Sequence, residues 1–432
     1  MTHGVVLSLL FILLAGSVGY VWKNGIDAFD ERVTSFYEGG CGLLLRAVGV
    51  VSSRPVASGY DEAGGLSDLA GIFRSQGKFA EAEPLAARAL ALDEKAFGSE
   101  HPRVASDLLA LAAVCEDLGR NEQAEGLFKR SLSMREKLHG PDSAEVGESL
   151  NGLAGLYNVL GRYELAEPLF RRALSIDENV YGRDHPCVAE DQCFLAGLYK
   201  EQGRYEQAEM LYQRALDVLE KAKGSEHLTV LAVLENLADV SRMRGHLEES
   251  EALFKRLLSA EEKSLGCDHP RTAITLSSLA GLYRLQGRQK DAVPLYRRSL
   301  TICEKTFGSE SRETGWALNS FALALLDTGD SNSAEPLFIR ALAICEKLLG
   351  NEHPDVASVL NNLASLYFSQ GKAAQAEPLF RRVLAIRETA FPPNPPDVAR
   401  SLKNLATVCR VLGRRSEAES LEKRAAAIHV EP

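Results

Sequence analysis

From His353 to Phe391 the chain carries two stretches in which apolar side chains return at helical spacing, separated by Gln370-Gly371-Lys372. In the first, Val356, Leu360, Leu363, Ala364 and Tyr367 fall at i, i+4, i+7, i+8 and i+11. In the second, Ala376, Leu379, Phe380, Val383 and Leu384 fall at i, i+3, i+4, i+7 and i+8. Each set makes one apolar stripe on an α-helix, with polar residues opposite. Pro354 stands where a helix begins, because its missing N–H is one that a first turn leaves unpaired. Gly371 stands where the first helix must stop and the chain reverse. The pattern predicts a helical hairpin.

The hairpin is written nine times with a period of 42 residues. Turn glycines recur at 77, 119, 161, 203, 245, 287, 329, 371 and 413, and loop glycines at 98, 140, 182, 224, 266, 308 and 350. The first helices share an invariant alanine, Ala70 through Ala364 to Ala406. The second helices have its partner from Ala82 to Ala418, with Ser250 the one departure. A small residue at these places lets the two helices approach closely. An aromatic follows on each second helix from Phe128 to Phe380, whereas Glu422 takes that place in the last. A carboxylate there suits a helix with no following neighbour, so 395–429 is read as the cap of the array. Self-similarity this regular implies an all-α solenoid of stacked hairpins.

The order Leu-Ala-x-Leu-Tyr, Gln-Gly-Lys, Ala-Glu-Pro-Leu-Phe-x-Arg-x-Leu resembles the tetratricopeptide repeat (TPR). The 42-residue period and the HPDVA…LNNLA…GK phrasing resemble the kinesin light chain repeat type, over roughly Gly59 to Ile428. The resemblance implies a right-handed superhelix whose first helices line a concave groove for an extended peptide. It is a resemblance of repeats. The long heptad coiled coil that precedes the repeats in kinesin light chain has no counterpart here, so cargo transport is not carried over. By the same resemblance, groove asparagines that grip peptide backbone map to Asn361 and Asn362, with single matches at Asn151, Asn236, Asn319 and Asn404. Asparagine suits this because one side chain both donates and accepts. Leu109, Ala110, Cys193 and Phe194 interrupt the ladder in the second and fourth repeats.

Later on the same helices one phase holds Arg74, Glu116, Asn158, Lys200, Arg242, Arg284, Leu326, Phe368 and Arg410. The basic members, Arg74, Lys200, Arg242, Arg284 and Arg410, form a stripe that would attract an acidic segment, or else a solvated helix face. The chain as a whole carries a net charge of −10, which excludes nucleic-acid binding through a basic surface.

The 22 residues Met1–Trp22 contain no Asp, Glu, Lys or Arg, and Val5–Trp22 is almost unbroken apolar sequence. Residues 1–23 are expected to be a transmembrane anchor, with a cleaved signal peptide as the alternative. Lys23, Arg32 and Arg46 follow the segment and no basic residue precedes it, which favours a single-pass protein with cytoplasmic repeats. Cleavage would instead give a secreted or periplasmic protein. Residues 24–58 keep neither glycine phase and are read as a juxtamembrane linker or degenerate capping helix, ahead of an array at 59–429.

Catalytic chemistry is not indicated. HExxH, GxSxG and GxxxxGK[ST] motifs are absent. Histidines 101, 185, 227, 269 and 353 recur once per repeat, which suits loop and cap packing better than a metal site built around one point. His185, Cys187 and Cys193 lack a fourth ligand and a usual spacing. Cys303 and Cys345 hold equivalent places in neighbouring repeats, too far apart for a disulfide. No cofactor or metal is expected. The reading is a membrane-tethered, non-enzymatic adaptor binding peptide segments of partner proteins. The alternative is a structural scaffold using its outer surface.

Overall fold

The computed structural model describes residues 59–389 and 395–428. They form eighteen helices in nine hairpins, with no strand among the described residues. First and second helices alternate: α1 (Gly59–Ser75), α2 (Phe79–Phe97), α3 (Pro102–Asp117), α4 (Asn121–His139), α5 (Ala144–Val159), α6 (Tyr163–Tyr181), α7 (Pro186–Glu201), α8 (Tyr205–Lys223), α9 (Leu228–Met243) and α10 (Leu247–Ser264). There follow α11 (Pro270–Leu285), α12 (Gln289–Phe307), α13 (Arg312–Asp327), α14 (Ser331–Leu349), α15 (Pro354–Ser369), α16 (Ala373–Thr389), α17 (Pro395–Val411) and α18 (Arg415–Ala427). The chain divides into two compact units, Met1–Leu253 and Phe254–Pro432, with the boundary inside α10. Each unit is an all-α stack in which a second helix packs on its own first helix and on the next one.

The helix ends follow from the sequence pattern. At α15 the imidazole Nδ1 of His353 accepts a hydrogen bond from the Asp355 N–H at 3.1 Å, and Pro354 opens the helix. His101, His185, His227 and His269 cap their helices in the same way. The recurring histidines are therefore N-caps, which satisfy a backbone donor that the helix cannot pair internally. At the other end Gly371 takes φ 75°, a left-handed conformation that costs other residues strain. There the Lys372 N–H reaches the Tyr367 carbonyl at 2.9 Å and the Gly371 N–H reaches that of Phe368 at 3.0 Å. This pair of bonds closes the helix and turns the chain back.

The alanine series lies where the two helices of a hairpin meet: Ala364 and Ala376 are both 0% exposed. Where Ser250 replaces alanine, its hydroxyl donates to the Ala238 carbonyl at 2.8 Å, so the buried oxygen is paired. Phe128 and Phe338 fill the space between hairpins and are fully buried. Cys115 and Cys409, which stand where four other repeats have tyrosine, are buried and act as small apolar residues. In the second unit, Leu402, Leu405, Cys409, Leu421 and Ala425 complete a core with Ala364 and Phe380. Glu422 faces outward from α18 and pairs with Arg410.

A second device ties consecutive repeats at the turns. The Arg204 guanidinium lies 2.8 Å from Glu167 and 4.0 Å from the centre of the Tyr199 ring. Equivalent pairs join Glu83 to Arg120 and Glu377 to Arg414. At the one turn where an acid, Asp330, replaces the basic residue, Val293 stands in place of the glutamate. Asp330 instead caps α14 through the Ser333 N–H at 3.1 Å.

The membrane expectation requires correction. Among the described residues no helix is long and apolar enough to cross a membrane. The hydrophobic segment 1–23, the linker 24–58 and the last residue of the expected cap, His429, lie outside the described residues. A single-pass location with cytoplasmic repeats is therefore withdrawn.

Candidate functional site

Within each unit consecutive first helices lie side by side. Polar groups that bridge them define a first-helix face. In the second unit this face is an asparagine ladder. The Asn362 amide donates to the Asn319 carbonyl oxygen at 2.9 Å, and the Asn404 amide to that of Asn361 at 3.1 Å. Both bonds join residues 43 apart, one more than the repeat, because neighbouring first helices are slightly staggered. All four side chains are half-buried. Each has spare capacity beyond that one bond, since a carboxamide offers two donors and two lone pairs.

The first unit places the other two asparagines among charges. The Asn151 amide donates to Asp191 at 2.6 Å. Asn236 accepts from the Lys200 ammonium at 2.8 Å while its own amide donates to the Ala232 carbonyl at 3.0 Å. Lys200 is buried, not displayed. The structure also explains one gap in the ladder. A Cβ on Gly152, the place held by Asn362 in the second unit, would sit 2.7 Å from the Phe128 ring.

Apart from Lys200, the basic stripe is a set of internal ion pairs. Arg74 lies 2.5 Å from Asp117 and Arg284 2.5 Å from Asp327. Arg242 pairs with Asp239 at 3.1 Å. Arg410 grips both oxygens of Glu422 at 2.7 Å. Two of the carboxylates, Asp117 and Asp327, stand 43 residues after their arginines, so the stagger that aligns the asparagines also aligns these pairs. The signal was present in the sequence, but it needed the stagger to be read. Beside Arg74, burial pushes the Glu116 carboxyl up to about 7, with Asp117 adding to it and Arg74 opposing.

Glu209, His246 and Glu249 lie close together, but Glu209 also holds Arg244 and accepts from Ser241. Burial pushes the Cys187 thiol up to about 11 and that of Cys193 further still, which keeps both protonated.

The Tetratricopeptide repeat family model matches residues 61–137, 145–221, 229–305 and 313–389, and a second model of the same description matches 363–429. No curated protein matches the chain. Among solved structures, the chain is similar to a putative kinesin light chain from Podosopora anserina, at 27% identity over 48% of this chain and 99% of that one, with a TM-score of 0.43. It is similar to BtubC (BKLC) from P. vanneervenii at 24% identity over 53% of this chain and 94% of that one, TM-score 0.47. The apo form of the quorum sensor NprR from B. thuringiensis shares the fold at 13% identity, over 86% of this chain and 99% of that one, TM-score 0.58. With nine capped hairpins at a constant period and a family match over well over half its length, the chain belongs to the tetratricopeptide repeat family.

Proposed function

We propose that the chain is a non-catalytic adaptor whose first-helix face holds extended segments of partner proteins. The fold suggests protein–protein interaction, and no catalytic family is indicated. The observation that carries the finer reading is the half-buried ladder of Asn319, Asn361, Asn362 and Asn404. Its spare donors and acceptors match the alternating N–H and C=O of an extended backbone. Grip on backbone gives affinity with little sequence choice. Charge supplies the choice. An acidic segment would compete with Asp327 for Arg284 and with Glu422 for Arg410, both partly exposed pairs. Such exchange is worth only about 0.2–1 kcal/mol per pair, so the preference for acidic segments is shallow and weakens with salt.

The scaffold reading is less well supported. The outer faces of the second helices carry ion pairs between repeats, such as Arg130–Glu94 at 2.6 Å, Arg172–Glu136 at 2.8 Å and Arg340–Glu304 at 2.6 Å. Burying these against a partner would cost their hydration. Fluorescence polarisation across a peptide library, with the wild type and an Asn361→Ala/Asn362→Ala variant, tests the proposal. Loss of binding in the variant supports the adaptor. Binding that survives there but is lost on Arg340→Glu favours the scaffold.

A further inference from the structure

At five junctions between hairpins one residue of a second helix interacts with the residue 14 positions later on the next first helix. Most junctions fill this place with matched chemistry. Arg135 meets Ser149 at 3.2 Å, Glu261 takes the Thr275 hydroxyl at 2.7 Å, and Arg387 meets Ser401 at 2.8 Å. Leu219 and Val233 make the place apolar. Two junctions, both in the first unit, set carboxyl against carboxyl: Asp93 with Asp107, and Asp177 with Asp191.

These acids are deep. Asp93, Asp107 and Asp191 are 1%, 6% and 3% exposed. One oxygen of each of the four, Asp93 Oδ1, Asp107 Oδ2, Asp177 Oδ1 and Asp191 Oδ2, is buried without a hydrogen-bond partner. The surroundings do not neutralise both members of either pair. Asp107 is faced by Ser67 on α1, Asp93 on α2 and Arg103 on α3, and Arg103 already holds Asp93 at 2.7 Å. Asp191 is faced by Asn151 on α5, Asp177 on α6 and Glu190 on its own helix. Glu190 is held by Lys223 of α8 at 2.7 Å. Asp177 is faced by Glu148 and Glu190, and Glu148 is held by Arg135. Two carboxylates cannot both stay charged in so dry a place, and an unpartnered oxygen is what an acid proton would bond.

We propose that the Asp93–Asp107 junction is closed by a proton held between its carboxyls and the α6–α7 junction by a proton retained on its buried aspartates, so that proton loss loosens α2 from α3 and α6 from α7 and makes the first unit a pH-responsive stack. The Asn151 amide donates to Asp191, so the same proton governs the partner of a side chain on the first-helix face.

Burial, with the charge of Asp93 second, pushes Asp107 up to about 7. Burial, with Glu148 and Glu190 adding to it, pushes Asp177 up to about 6, and Asp191 moves in the same direction. Folding then favours the protonated form. The stabilisation is full below the ordinary aspartate value of about 4 and is lost as pH rises through about 6 to 7. Between the ordinary and the raised values the opening equilibrium at a junction rises about tenfold per pH unit for each proton released, and it levels off above them.

Hydrogen exchange of the full-length chain between pH 5 and 8, corrected for intrinsic rates, reads this directly. Protection across α2–α3 and α6–α7 should fall as pH rises, while the Arg387–Ser401 junction should not follow. Asp107→Asn with Asp191→Asn should flatten the response and leave protection at pH 8 above that of the wild type. A wild type with no pH response at these junctions, or an unchanged response in the variant, overturns the proposal. Should the variant not fold, the infrared spectrum of the wild type decides. A protonated-carboxyl band persisting at pH 6, where free aspartate is ionised, and surviving Glu116→Gln, whose own carboxyl is also pushed up, supports the retained protons, and its absence refutes them.

Discussion

The described part of the first unit and the second unit repeat one backbone and bury different chemistry in it. In the first, oxygen acceptors accumulate without partners: Asp93, Asp107, Glu116, Asn151, Asn158, Asp177, Asp191 and Gln192 each bury one. Among the described residues of the second, Gln370 is the one such oxygen acceptor, and polar first-helix residues bond one another as asparagines. A buried acceptor left unpaired costs about 1–3 kcal/mol, so protonation or hydration of those sites weighs on the first unit in particular. The difference shows where this repeat keeps its freedom. Alanine and aromatic positions make the stack and are nearly constant. The places between and beside them vary, and chemistry that distinguishes one stretch of the array from another is confined there.

The largest effects should fall on what the units share. Phe128→Ala and Phe338→Ala each remove a fully buried ring and should each cost about 3–5 kcal/mol. Hydrogen exchange should show protection lost chiefly in the hairpins around the substituted residue. If Phe338→Ala left its own unit intact, the claim that the aromatic positions build both stacks alike would fail.

Next comes a position where the units differ outright. Gly152→Asn writes into the first unit the residue that Asn362 supplies in the second, but the new Cβ must enter the space of the Phe128 ring. Overpacking of this kind costs about 1–3 kcal/mol. Denaturant titration should show the loss, and Phe128→Leu in the same chain should recover part of it. A neutral Gly152→Asn would mean that the gap in the asparagine ladder has no packing cause.

These two cases also mark what was legible beforehand. The hairpins, their turns and the buried alanines could be read because each is a backbone or packing demand repeated at a fixed period: Gly371 needs its left-handed φ, and Ala364 its lack of bulk. The role of His353 as a cap was legible from its place before Pro354. The ion pairs of Arg74 and Arg284 were not, because a stripe on one helix says nothing of the next helix until the stagger of 43 residues is known. The facing of Asp177 and Asp191 was hidden for the same reason. They are 14 residues apart across a loop, and only the packing of α6 on α7 turns that separation into proximity. The apolar segment 1–23 was the strongest local signal, yet it falls outside the described residues, and none of the eighteen helices supports the location inferred from it.

Binding comes third in size. Asn361→Ala with Asn362→Ala removes two amides from the ladder of the second unit, each worth about 0.5–1.5 kcal/mol as a hydrogen bond. Affinity for an extended peptide should fall about 5- to 150-fold in fluorescence polarisation. Asn151→Ala in the first unit should cost less, because its amide donates to Asp191 and its carbonyl oxygen is buried away from the face. Equal losses at both sites would erase the proposed division of labour between the units.

The smallest effect tests the charges. Arg410 and Glu422 are 57% and 42% exposed. Arg410→Ala should therefore lower stability by only about 0.2–1 kcal/mol, and less at high salt. Its effect on binding separates two roles. If Arg410 serves only to hold α18 to α17, Arg410→Ala leaves peptide affinity unchanged at every charge of peptide. If it exchanges Glu422 for an acidic residue of a partner, Glu422→Gln should strengthen binding of acidic peptides by releasing the guanidinium, and Arg410→Ala should weaken it. That opposition in sign is the useful measurement, since both variants lose the same ion pair and a purely structural bond would make them alike.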